Sequence, residues 1–239
     1  NPTLQGNNKI TLTSKMNLTR ATSELQDTKI NTSVKVGTFG ITGSTLLTNG
    51  DNNQYSVQTN GDLQKVSNDM EWPTTGNINI YAYAPYNTSW SYGDTYDAEK
   101  TFDFEVKADQ SSDENYLASD LIYASKTDIT KSENAVELSF NHKMARIAIN
   151  VKKATGEGVP NLNGAKVYIT KTIRTATFKP STGAVNITGT ETSDITVASL
   201  SAEPDATDGS TVYAVIVPQE IVTGTELVKI VTDAENNSG

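Results

Sequence analysis

Apolar and polar positions alternate with a period of two over residues 9–20, KITLTSKMNLTR. Ile10, Leu12, Met16 and Leu18 fall on one side of an extended strand, with Ser14 the only polar member of that side. Lys9, Thr11, Thr13, Lys15 and Asn17 fall on the other. Successive side chains of a strand point to opposite faces, so the pattern predicts a half-buried strand. It closes on Arg20 and leads into a polar run over 21–31. A strand so tethered can in principle be removed without dismantling the rest of the fold.

Further short apolar runs occupy 33–41, 54–59, 62–66, 77–85, 101–107 and 120–124. Turn pairs separate them, and Asn60 and Gly61 between two such runs predict a tight hairpin. The stretch 125–135, SKTDITKSENA, is polar and weakly patterned, which places a domain boundary there, with domains 1–128 and 129–239. A second strand series follows at 135–140, 145–151, 165–170, 175–178, 184–187, 194–198, 211–217 and 227–231. The run 213–217 is apolar on both faces and reads as the middle of a sheet. No segment predicts a helix longer than two turns. Many short strands separated by turn chemistry predict an all-β fold of sandwich type.

Composition narrows the function classes. The formal net charge of −9 disfavours nucleic acid and anionic membrane surfaces as partners, because both call for a cationic patch. With no cysteine, thiol nucleophiles, thiolate metal sites and disulfides are excluded. No stretch approaches the roughly 18 consecutive apolar residues of a spanning helix.

Catalytic chemistry finds little support. His142 is the only histidine, so any serine triad would have to use it and a multi-histidine metal site is impossible. Asp103 and Glu105 share a strand face in the manner of a glycosidase pair, but Phe102, Phe104 and Val106 on the opposite face give the plainer reading of an amphipathic strand. The acidic turn 49–53 lacks the spacing of a calcium loop. No glycine-rich phosphate loop opens a helix. The expectation is a non-enzyme without metal or cofactor. One loop stands apart: over 87–98, Trp90, Tyr92 and Tyr96 lie among small polar residues, a composition suited to stacking on a glycan or anchoring a host protein.

Three segments carry a resemblance. Trp72 and Pro73 precede the run 77–86, NINIYAYAPY. Residues 120–124, DLIYA, precede 138–147, LSFNHKMARI, and 212–219 read VYAVIVPQ. In this order and spacing they resemble the fimbrillin family, the type V pilins and related surface lipoproteins of Bacteroidetes-type bacteria. The resemblance implies two transthyretin-like β-sandwich domains in tandem. It implies localisation at the cell surface, in a fimbrium or attached to the outer membrane through a lipid anchor upstream of this chain. It also implies a mechanism: a processing protease cuts after an arginine, the N-terminal strand is released, and a strand from another fimbrial subunit takes its place. Arg20 and Ala21 match that processing position, and Ile10, Leu12, Met16 and Leu18 would be the plug. The chain departs from the family's pattern after 227–231, where it stops at Asn236, Asn237, Ser238 and Gly239 without a closing hairpin. A C-terminal domain lacking its last strand or strands is therefore expected.

Overall fold

The computed structural model describes residues 8–17 and 29–232. Leu18, Arg20, Ala21 and the C-terminal Asn236 to Gly239 lie outside them. Among the described residues the fold is all-β, with one two-turn helix. The first strands are β1 (Leu12–Met16), β2 (Lys35–Thr42), β3 (Thr45–Leu46), β4 (Asn53–Val57), β5 (Asp62–Lys65), β6 (Ile78–Ala84) and β7 (Phe102–Glu105). Helix α1 (Asp113–Ser119) follows, then β8 (Ile122–Ile129), β9 (Val136–His142), β10 (Ala145–Val151), β11 (Lys166–Thr172) and β12 (Thr175–Lys179). The last are β13 (Ala184–Ile187), β14 (Ser193–Ser199), β15 (Ser210–Ile216) and β16 (Val228–Val231).

The chain divides into two compact units that are not consecutive in sequence. Unit 1 comprises residues 1–102, 121–143 and 178–185, and unit 2 the remainder. The boundary expected near residue 128 instead falls inside unit 1. Residues 125–135 are polar because the far end of β8 and its turn into β9 face water, while Ile129 and Val136 on either side are buried.

In unit 1 the sheet order is β3-β2-β4-β5-β1-β9-β8-β6, and β6 pairs back to β2. Setting aside the short strand β3, seven strands close into a barrel-like ring. The two separate sheets of a sandwich are thus not what this unit forms: the β2–β6 ladder joins them into one. The predicted Asn60–Gly61 hairpin joins β4 to β5, with the Gly61 N–H donating to the Gln58 carbonyl at 2.9 Å. Alternation fills the ring: Leu12 and Met16 of β1, Tyr55 and Val57 of β4, Ile78 and Ile80 of β6, and Leu138 and Phe140 of β9 share one buried cluster.

Unit 2 contains a β14-β11-β16 sheet and a β10-β15 pair. The 213–217 run was expected in the middle of a sheet, but among the described residues β15 has one strand partner, β10. Its other edge is closed by a side chain. Gln110, 3 % exposed, accepts from the Val215 N–H and donates to the Val215 carbonyl, both at 2.8 Å. One amide thereby satisfies both backbone groups of a residue as a neighbouring strand would. Helix α1, whose N-cap Ser112 accepts from the Asn115 N–H, packs against the same strand. Gln219 repeats the device, accepting from the Ile173 N–H and donating to its carbonyl, both at 2.9 Å.

Leaving a buried backbone pair unsatisfied costs about 1–3 kcal/mol. Gln110→Leu should lower stability by about that amount in urea unfolding, and Gln219→Leu by less, because Ile173 is only half-buried. Unfolding curves that coincide with the wild type would contradict the sealing role.

Candidate functional site

The functional candidate is the slot that β1 occupies. On one side β1 runs parallel to β9, from Leu12 opposite Val136 to Met16 opposite Phe140. On the other it runs antiparallel to β5, with Leu12 opposite Leu63 and Thr13 opposite Asp62. It is an interior strand, and its removal would leave two facing edges. Backbone bonds continue beyond the ladder. The Ile10 N–H donates to the Met70 carbonyl, the Ser14 N–H to the Gly61 carbonyl and the Asn17 N–H to the Phe140 carbonyl, each at 2.8 Å. From the β9 side, the Val136 N–H donates to the Thr11 carbonyl at 2.8 Å.

The side chains separate as the alternation predicts. Ile10 and Leu12 are 3 % exposed and Met16 7 %, all within the ring's cluster. Ser14 points the same way, and its hydroxyl donates to the Gly61 carbonyl at 2.8 Å. Gly61 has φ +95°, and a Cβ there would lie 2.7 Å from the Ser14 carbonyl oxygen. The turn can therefore approach the strand only as glycine. On the outer face, Lys9 pairs with Asp69 at 2.8 Å and Lys15 with Glu137 at 2.5 Å. Asp69 also holds Lys65. Hydrogen bonds from the Lys65 and then the Lys9 ammonium groups keep the Asp69 carboxyl below its ordinary 3.8. The same contact raises the pKa of Lys9. At the chain's entry, Asn8 donates to the Trp72 carbonyl at 2.9 Å and accepts from Lys131 at 2.7 Å.

The structure thus brings three of the four plug residues into one slot, and Leu18 and the Arg20–Ala21 position lie outside the described residues. Asn8, Gly61, Asp69, Met70, Trp72 and Glu137 were not foreseen as parts of it. Only Gly61 carried a local signal, as half of the Asn-Gly turn. The others are brought to β1 by ladders that span many residues of sequence.

The aromatic loop is a correction. Trp90 is 3 % exposed and Tyr92 6 %, and only Tyr96 is partly exposed. They fold back onto the outer face of β2 and β6. There the Trp90 ring centroid lies 4.5 Å from Tyr83, 5.4 Å from Phe102 and 5.4 Å from Phe178, and Tyr92 meets Phe39 at 4.9 Å. Burying this aromatic area outweighs leaving it in water as a ligand platform. The acidic turn serves the same end. Asp51 accepts from the Ser91 hydroxyl at 2.5 Å and from the Tyr92 N–H at 2.9 Å, pinning the loop. Burial pushes the Tyr83 and Tyr92 phenols up, so both stay neutral.

The remaining candidate chemistry is dispersed. His142 ends β9 opposite Ile122. Asp103 and Glu105 are exposed, and Glu105 pairs with Arg174 at 2.7 Å. Among the described residues there is no cluster of three metal-ligating side chains, and no helix long and apolar enough to cross a membrane.

A family model described as fimbrillin-like matches residues 19–238. The chain belongs to the fimbrillin-like family. The fold of this fimbrillin-like protein is similar to that of a candidate cell adhesion protein from Bacteroides uniformis, with 19 % identity, TM-score 0.66, and coverage of 94 % of this chain and 80 % of that one. A second candidate cell adhesion protein, from Bacteroides ovatus, gives 21 % identity, TM-score 0.65, and coverage of 90 % and 79 %. A fimbrial protein from Bacteroides vulgatus gives 15 % identity, TM-score 0.50, and coverage of 93 % and 87 %. Comparison with curated proteins gives no match.

Two outcomes are expected from this geometry. Trp90→Ala should destabilise unit 1 by about 3–5 kcal/mol, the range for deleting a buried large aromatic. A variant as stable as the wild type in chemical denaturation would return Trp90 to the role of ligand contact. The Asp69 carboxyl is depressed in the folded state, so its contribution is present above the ordinary 3.8 and is lost as pH falls through its lower folded value. The stability difference between wild type and Asp69→Asn should therefore hold steady from about pH 5 to 8 and shrink in more acid solution. A difference that grows on acidification would refute the assignment.

Proposed function

We propose that this chain is a structural or adhesive subunit of a cell-surface fimbria, assembled by β-strand exchange after its N-terminal strand is cut free at Arg20–Ala21. The observation that carries the proposal is the place of β1 as an interior strand of a closed ring, followed in sequence by Arg20. Hydrolysis after Arg20 changes the physics of that strand. While tethered, β1 rebinds at the high effective concentration of a short linker; once cut, it is a separate peptide that dilutes when it leaves. Its retention meanwhile is substantial, since burying Ile10, Leu12 and Met16 contributes roughly 1.5–3 kcal/mol each. A competing strand is therefore needed to displace it. The vacated slot offers backbone donors and acceptors on two edges together with side-chain pockets, which is the arrangement that strand addition uses.

The partners in this reading are other subunits of the fimbria and a trypsin-like processing protease. Attachment to the outer membrane through an upstream lipid anchor, and transthyretin-like topology in the two domains, belong to the same proposal and rest on the family resemblance. The alternative of a non-polymerising glycan- or host-protein-binding module loses its main support, because Trp90 and Tyr92 are buried.

Limited digestion of the full chain with a trypsin-like protease should yield material starting at Ala21 that forms ordered multimers over time. Arg20→Ala should stay monomeric under the same treatment. Equal polymerisation of intact Arg20→Ala would defeat the proposal.

A further inference from the structure

The contacts that hold β1 also specify what can replace it. We infer that the slot selects its incoming strand by a three-part rule: apolar side chains at the places of Ile10, Leu12 and Met16, a small residue at the place of Ser14, and cations at the places of Lys9 and Lys15. The partner is accordingly a β-strand of another subunit with a cationic outer face. It runs parallel to β9 and antiparallel to β5 as β1 does. The inference rests on the strand-exchange reading and adds the chemistry of the strand accepted.

Each part of the rule has its own cause. The apolar places come from burial, since Ile10, Leu12 and Met16 all lie in the ring's cluster. The small place comes from the turn at Gly61. Ser14 is 8 % exposed and sits on the core face opposite Leu138, which is 0 % exposed. The Gly61 carbonyl accepts from both the N–H and the hydroxyl of Ser14, each at 2.8 Å, holding the turn directly against the strand. A branched aliphatic side chain there enters a close-packed interior and displaces the hydroxyl from its acceptor. The cationic places come from fixed acids on the flanks. Asp69 and Glu137 face the outer side of the slot, where they pair with Lys9 and Lys15, six residues apart along the segment 8–17. After β1 leaves, Glu137 loses its cation and Asp69 loses one of two. A strand with acids at these places meets two like charges, so charge discriminates against wrong strands. The same alternation read one residue out of register would place lysines in the core, so the rule fixes register as well.

The test uses the full chain cut once between Arg20 and Ala21, and fluorescent peptides of residues 8–17. The wild-type peptide should exchange into the slot. A peptide carrying Ser14→Leu should compete about tenfold less well or worse, as expected for overpacking. A peptide carrying Lys9→Glu and Lys15→Glu should compete up to about tenfold less well at low salt, with the deficit narrowing as salt rises. Three peptides that exchange equally well would overturn the selection rule while leaving strand exchange standing. Failure of even the wild-type peptide would overturn the strand-exchange reading and the rule with it. A second measurement needs no exchange: in the intact chain, Ser14→Leu should melt below both the wild type and Ser14→Thr. Equal melting of all three would overturn the small-residue part of the rule.

Discussion

The ring of unit 1 stays closed only while the short strand β1 is hydrogen-bonded on both sides. Remove β1 and the edges of β5 and β9 face each other unpaired, with the pockets of Ile10, Leu12 and Met16 open between them. Backbone groups in such a place must find partners. Ring closure therefore makes the slot either occupied by its own strand or receptive to another. The charges on the rim and the glycine turn act after that constraint, by deciding which strand fits.

The protein deals with strand edges in two contrasting ways. In unit 2, Gln110 and Gln219 each close a stretch of backbone with a side-chain amide, a seal that belongs to the chain and cannot be exchanged. In unit 1 the edges of β5 and β9 are closed by a segment that a single cut separates from the rest. The loop over 87–98 also behaves as a permanent cover, held by Asp51 and by the stacking of Trp90 on Phe102 and Phe178. On the proposed reading, β1 is the closure of unit 1 that exchanges.

Much of this was legible in the sequence because strands announce themselves by period. The alternation over 9–17, the Asn60–Gly61 hairpin and the run that became β6 are local signals set by side-chain direction and turn conformation. Ser14 was visible as the polar exception on an apolar face, although its partner was not. What could not be read was long-range. Nothing near Lys9 points to Asp69, and nothing near Gln219 points to Ile173. The boundary expected near residue 128 failed because a polar turn inside a ring looks like a linker. Trp90 and Tyr92 misled for a related reason: polar neighbours in a loop do not reveal that its aromatics turn back onto a sheet whose outer face carries Phe39 and Tyr83.

The most direct measurement of the central claim is hydrogen exchange at the Val136 amide, which donates to Thr11 in the resident strand. In the intact chain this amide should be protected. In multimers assembled from chains that have lost residues 1–20 it should again be protected, because a strand from a neighbouring subunit has taken the place of β1. A Val136 amide that exchanges freely in such multimers would show that they are held together elsewhere, and the slot would then be no more than the seat of the first strand of a stable domain.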